Sequence, residues 1–192
     1  MNFNFSDVSN SLTKKFNDCS LGRKSEVEDN CSIKNFDAPL ASVKDTERHC
    51  PIENGQWEGE RGNSKWIPDD DYIPQKSNPE NQTWKEIKSE SNIDGITYQD
   101  GEPQFGEISK GEVKIENFST DRSDNFDNAD IEMAKQHDCS PEDVAKWRKE
   151  NKYTWHECRD METMQKVPSV VHNNVTHSGG ISEAKKEVTN NE

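Results

Sequence analysis

The run from Ser140 to Gly180, SPEDVAKWRKENKYTWHECRDMETMQKVPSVVHNNVTHSGG, leaves few folds open. It begins with a complete helix-start signal. Ser140 is a natural N-cap, Pro141 stands at the first helical position, and Asp143 completes an S-x-x-D box, while two acids favour the N-terminal dipole. Val144 and Trp147 are expected on the buried face of this helix, with Arg148 and Lys149 near its C-terminal end. YTWHEC then has the length and aromatic content of a strand, RDMET those of a turn, and MQKVP those of the returning strand. Pro168 ends that strand, VVHNNV predicts a short helix or helical turn, Ser178-Gly179-Gly180 breaks the chain, and Ser182 opens a last helical turn. The order is strand, turn, strand, helix.

This segment gathers three of the five histidines of the chain: His156, His172 and His177. A hydrolytic metal site needs imidazoles or carboxylates that converge on one ion with a position left open. The strand–helix order allows His156 to meet His172 and His177. The last two are five apart, ~140° around a regular helix at 3.6 residues per turn, so the helix must end between them. Asn173, Asn174, Val175 and Thr176 permit that ending. The alternative from spacing is three surface histidines with no shared task. Glu157 beside His156 raises a zinc protease, but that chemistry needs H-E-x-x-H on a helix. Here the run is His156-Glu157-Cys158-Arg159-Asp160, on a strand. Cys158 lies on the same strand face as His156, which suits a buried structural thiol better than a nucleophile. Neither a G-x-G-x-x-G nor a Walker loop is present.

Composition sets the scale of what folds. Only 28% of the 192 residues are hydrophobic and 32% are charged, with a mean hydropathy of −1.20. A typical globular domain has roughly 45–50% apolar residues, so the folded part is small and polar, or part of the chain is disordered. The five tryptophans, at 57, 66, 84, 147 and 155, place the folded part after about residue 50. Residues 1–50 are expected to be linker-like or disordered. From residue 51, aromatics interleaved with Gly and Pro suggest an irregular, turn-rich stretch. Thr83-Trp84-Lys85-Glu86 has capping-box spacing for a helix to about Glu90. ITYQ between two Asp-Gly pairs reads as a strand, EVKIENF as a half-buried strand, and Phe126 to His137 as a helix. The expected fold class is α+β, divided into 1–50, an upstream region 51–138 and a C-terminal module 139–192.

The formal charge is −14. Residues 140–192 hold eight Lys/Arg against nine Asp/Glu, so −13 belongs to residues 1–139. An acidic chain is a poor first guess for a nucleic-acid binder, but Lys146, Arg148, Lys149, Lys152, Arg159 and Lys166 cluster in the histidine-bearing segment. Five cysteines without a C-x-x-C pair point to reduced thiols in a cytosolic setting. No run reaches the ~18 apolar residues of a membrane span. MNFNFSDVSNSLTKKF has no apolar h-region, so no secretory signal peptide is expected. A protein that leaves its cell this way depends on another export route.

TWHE, MQKVP and H-x4-H-S-G-G, taken with GQWEGERGNSKWIP, TWKEI, DGEPQF and WRKENKYTWHE upstream, resemble the HNH/endonuclease VII superfamily of nuclease toxin domains, in its W-H-H branch. The resemblance runs from about Cys50 to Lys186. It implies a ββα-metal module in which a hairpin and a helix clasp one divalent ion, Mg²⁺ or Zn²⁺. It further implies phosphodiester hydrolysis by a bacterial toxin effector, on DNA rather than RNA, and a cognate immunity protein. The departure is Trp155-His156-Glu157, where the branch carries two histidines. Either His156 is a metal ligand and Glu157 the general base, or His156 is the base and Glu157 a metal-side carboxylate. The second is favoured here because imidazole suits water activation. Metal ligation then falls to His172 and His177, and Lys149, Lys152 and Arg159 would steady flanking phosphates. The alternatives are an inactive HNH-fold binding protein, an RNA-cleaving toxin, and a closed structural zinc site.

Overall fold

In the computed structural model residues 47–190 are described, all within the unit Ser42–Glu192. The expectation for residues 1–50 therefore falls, apart from its last four positions, outside the described residues. Helix starts follow the capping chemistry. Helix α1 (Trp84–Ser91) begins at a full capping box between Thr83 and Glu86. Helix α2 (Arg122–His137) is capped by the Asp121 carboxylate and starts four residues before the apolar pattern does. Helix α3 (Pro141–Glu150) carries the Ser140/Asp143 box read from the sequence. Such caps contribute about 1 kcal/mol each.

The strands form two antiparallel sheets. The first has the order β1 (Gly55–Trp57), β2 (Lys65–Pro68), β3 (Ile96–Gln99) and β4 (Glu102–Pro103). The Asp100-Gly101 turn joins β3 to β4 with positive φ at both residues, 49° and 81°, which is why Asp-Gly stands there. The Gly- and Pro-rich stretch expected to be irregular thus contains a hairpin, with Trp57 opposite Trp66. The second sheet has the order β5 (Glu112–Lys114), β7 (Thr163–Pro168) and β6 (Tyr153–Glu157). β6 and β7 form the expected hairpin, with His156 opposite Gln165. β5 is shorter than EVKIENF suggested. It pairs with β7, so hydrogen bonds cross the division expected at 138/139. Helices α4 (Ser169–Asn174) and α5 (Gly180–Asn190) follow.

β7 feeds two cores from opposite faces. Val167 joins Trp66, Trp84, Tyr98, Phe105 and Val171, whereas Met164 joins Val113, Ile115, Met133, Val144 and Trp155. One face of β6 and β7 thus looks onto α2 and α3, and the other toward the first sheet and α4. On α3 the expectation fails for one residue: Trp147 is 40% exposed and Arg148 is buried in its place. The cause is Asp130 of α2, itself buried, which accepts from Arg148 Nε at 2.8 Å and also from its Nη2. Trp155 Nε1 donates to the same carboxylate at 2.9 Å. A buried guanidinium is tolerable only with such a partner. No helix among the described residues is long and apolar enough to cross a membrane.

Candidate metal centre

His156 points from β6 into the space between the sheet and the chain that follows it. α4 ends at Asn174, so His172 stands on the helix and His177 on the extended chain beyond it, as their spacing requires. Two glycines close the arrangement. A Cβ on Gly179 would sit 2.7 Å from the Glu157 carbonyl oxygen, and one on Gly180 would sit 2.5 Å from that of Cys158. Only a chain without side chains there can lie against the end of β6 and carry His177 back to His156. Tyr98 Oη donates to the Thr176 carbonyl at 2.9 Å and pins the same loop to β3.

The three imidazoles meet as a triangle, with ring centroids 5.4, 5.0 and 5.1 Å apart. Their donor nitrogens all lie within 4.8 Å of one another. The Phe105 ring touches all three, closest to His156 at 4.9 Å between centroids. Two of the rings are oriented from behind. His177 Nδ1 lies 2.7 Å from the Val175 carbonyl. A carbonyl only accepts, so that nitrogen carries the proton and Nε2 keeps its lone pair. His172 Nδ1 lies 3.1 Å from Asn173 Oδ1, and Asn173 is held by donating from Nδ2 to Ser77 Oγ at 2.7 Å. Hydrogen bonds of this kind behind an imidazole fix its tautomer and aim the other nitrogen.

His156 differs from its neighbours. Its side chain is 1% exposed, and neither ring nitrogen has a hydrogen-bond partner among the described residues. A buried, unsatisfied polar group costs about 1–3 kcal/mol, and fully buried ones call for an explanation. Burial is also the leading cause that pushes all three histidines down in pKa, His172 to about 3 and His156 well below its ordinary value. Mutual repulsion among the rings adds to this at His156 and His172, and the Arg122 charge lowers all three. The cluster is therefore uncharged at neutral pH, the state in which imidazole ligates. These residues fit a divalent ion, and the nitrogen-rich set fits Zn²⁺ better than Mg²⁺. His172 and His177 also line a groove of about 690 Å³ whose other walls include Tyr72, Lys76 and Trp84.

Glu102, absent from the expected site, brings a carboxylate to this centre. Its Oε1 lies 3.9 Å from His156 Nε2, and it forms a second possible ligand group with His156 and Cys158. The Arg159 backbone N–H donates to the same oxygen at 2.7 Å. Burial raises the Glu102 pKa, partly countered by that hydrogen bond and by the Arg159 charge. Burial likewise raises the Cys158 thiol, in keeping with a structural cysteine. The only sequence signal for Glu102 is its place inside DGEPQF, and Phe105 stands in the same string.

Glu157 is turned to the opposite face of β6, as strand alternation requires. It is 5% exposed, accepting from Arg122 Nε and from Asn125 Nδ2, both at 2.9 Å. Of the expected phosphate contacts, Lys152 forms an ion pair with Glu80. Arg159 donates from Nη1 to the Asp100 carbonyl at 2.6 Å and lies 3.4 Å from Glu183. Lys149 is exposed at the end of α3.

Residues 95–179 match the family described as the DNase/tRNase domain of colicin-like bacteriocins. The match spans less than half of the chain, but it contains Glu102, the three histidines and the whole β6–β7 hairpin. It is a similarity of that segment, and it supports a nuclease toxin domain. No curated protein matches the chain.

Proposed function

We propose that this chain is a metal-dependent endonuclease of the HNH/endonuclease VII kind, in its W-H-H branch, and that it acts as a bacterial toxin on DNA. In this proposal β6, β7 and α4 form the ββα-metal module. The observation that carries it is the triangle of uncharged imidazoles around His156, whose two buried nitrogens have no hydrogen-bond partner among the described residues. His156, His172 and His177 would hold one Zn²⁺. When bound, the ion supplies Lewis-acid stabilisation of the charge that develops on the phosphate and the leaving oxygen.

With His156 engaged as a ligand, proton transfer falls to Glu102. Its raised pKa brings a carboxylate nearer to the operating pH of a general base. Water attacks phosphorus and its proton passes to Glu102. The bond from phosphorus to the 3′ oxygen breaks, and the departing oxyanion takes a proton from solvent. In this reading Lys149, exposed at the end of α3, would steady a flanking phosphate, whereas Lys152 and Arg159 spend their charge on Glu80 and Glu183. A producer of such an enzyme needs protection, so a cognate immunity protein is part of the proposal. So is export without a signal peptide from the cytoplasm of the producing cell.

The test is cleavage of plasmid DNA and of structured RNA by wild type, Glu102→Gln and His156→Ala, each with EDTA, Mg²⁺ or Zn²⁺. The expected result is metal-dependent cutting of DNA, lost in His156→Ala and lowered ~10²–10⁴-fold in Glu102→Gln. Cutting of RNA alone would change the substrate. A folded wild type that cuts neither would make the chain an inactive HNH-fold binding protein.

A further inference from the structure

Two cations lie buried where the hairpin faces α2 and α3, Arg148 and Lys166. Arg148 takes both oxygens of Asp130, one of which also accepts from Trp155 Nε1. That carboxylate is fully engaged. Lys166 stands opposite Trp155 in the sheet and two residues from Met164. Strand alternation therefore turns it to the same face, away from the histidine centre. It is 7% exposed, and among the described residues its ammonium makes no hydrogen bond and no ion pair. The ammonium rests on the Trp147 ring, with Nζ 4.5 Å from the centroid. A buried cation without an anion is unfavourable, and an indole face offsets less of this than a carboxylate does.

The chain around Lys166 is fixed. Its N–H donates to the Gly111 carbonyl at 2.9 Å, and its carbonyl accepts from the Lys110 N–H at 2.8 Å. Gly111 has a φ of 139°, and a Cβ there would lie 2.7 Å from the Met133 methyl carbon. Only glycine lets this turn close between β7 and α2. Lys166 opens onto a groove of about 470 Å³, within the range of small-molecule sites. Met133, Val144 and Trp147 give the groove apolar walls, and Lys110 and His137, both exposed, add to its lining. Asp143 is the one acid among the described lining residues, and its carboxylate is held by the Ser140 hydroxyl at 2.8 Å. In a chain of formal charge −14, this groove has a surplus of positive charge.

We infer that the groove binds a small carboxylate with a compact apolar body. The carboxylate takes the Lys166 ammonium, and the body lies against Met133, Val144 and Trp147. A phosphate dianion would find no second buried cation without an acid here, and an uncharged ligand would leave the ammonium as it is. The site lies on the opposite face of β7 from the histidines and stands apart from the nuclease proposal.

The test is calorimetric titration of the full chain with 4-phenylbutyrate, 4-phenylbutanol, acetate and inorganic phosphate. Wild type, Lys166→Met and Trp147→Ala are compared. Wild type should prefer the acid to the alcohol by about 10–100-fold, the range for a hydrogen bond to a charged group. Acetate and phosphate lack the apolar body and should bind more weakly than 4-phenylbutyrate. Lys166→Met keeps the length of the side chain without its charge. It should hold its unfolding midpoint and bind acid and alcohol alike. Trp147→Ala, at an exposed position, should weaken both ligands and keep the preference. A preference for the acid retained in Lys166→Met would place the ligand elsewhere and overturn the inference. So would a folded wild type that takes up no 4-phenylbutyrate at millimolar concentration. Phosphate bound more tightly than 4-phenylbutyrate would overturn the ligand class. A marked fall in the Lys166→Met midpoint would mean that the indole already satisfies the ammonium, and the site would be structural.

Discussion

On one face of β6, Trp155 donates to Asp130, Asp130 accepts from Arg148, and Glu157 accepts from both Arg122 and Asn125. On the other face, one residue along, His156 is equally buried, and neither ring nitrogen has a hydrogen-bond partner among the described residues. The same strand therefore carries a finished polar network and an unfinished one, in backbone of the same regularity. The finished face couples α2 and α3 to the hairpin. The unfinished face is held open by Phe105, by the loop that Tyr98 pins, and by the two glycines that let the chain return. Polar groups that folding satisfies are structure, and those it buries without satisfying are where a ligand belongs.

Breaking the finished face should be a matter of stability. Asp130→Ala leaves Arg148 buried without its acid and strips Trp155 of its acceptor. A loss of about 3–5 kcal/mol is expected, read as a fall in the denaturant midpoint. His156→Ala removes two unsatisfied nitrogens and should lower metal binding far more than stability. If the two variants were equally destabilised, the contrast between the faces would be empty.

A smaller effect is expected one layer behind the ligands. Asn173→Ala frees the His172 ring while leaving all three imidazoles in place. Zn²⁺ affinity should fall by ~10–100-fold with little change in unfolding midpoint. Unchanged affinity would mean that the Asn173 contact does not orient the ligand.

The mildest test is pH. Unfolded imidazoles titrate near ~6.5, whereas burial pushes those of the folded protein down, His172 to about 3. Between these values the unfolded chain binds more protons, so stability of the metal-free protein should decline as pH falls from about 6.5 toward 3. Thermal midpoints of wild type and His172→Gln across that window check this, and the variant should show the flatter curve. Parallel curves would place His172 in a solvated setting.

Much of this architecture could be read along the chain because its determinants are local. The Thr83 and Ser140 boxes fixed two helix starts, the Asp100-Gly101 turn fixed β4 against β3, and Pro168 and Gly179-Gly180 bounded the segment that carries His172 and His177. The meeting of the three histidines followed from a helix forced to stop between positions five apart. What escaped was decided by partners distant in sequence. Arg148 is buried and Trp147 exposed because Asp130 waits on another helix, and hydrophobic patterning ranks the two residues the other way. Glu157 looked like part of the site because it adjoins His156. Only the placement of Arg122 and Asn125 shows what its side of the strand faces. Glu102 and Lys152 followed the same logic: one is brought to His156 by pairing of β3 with β4, and the other is taken up by Glu80.

The most direct measurement is equilibrium dialysis of wild type, His156→Ala and Glu157→Gln against Zn²⁺. One tightly held ion per chain is expected in wild type and in Glu157→Gln, and its loss in His156→Ala. An ion retained by His156→Ala, or none bound by folded wild type, would contradict the claim that the open face of β6 is a metal centre.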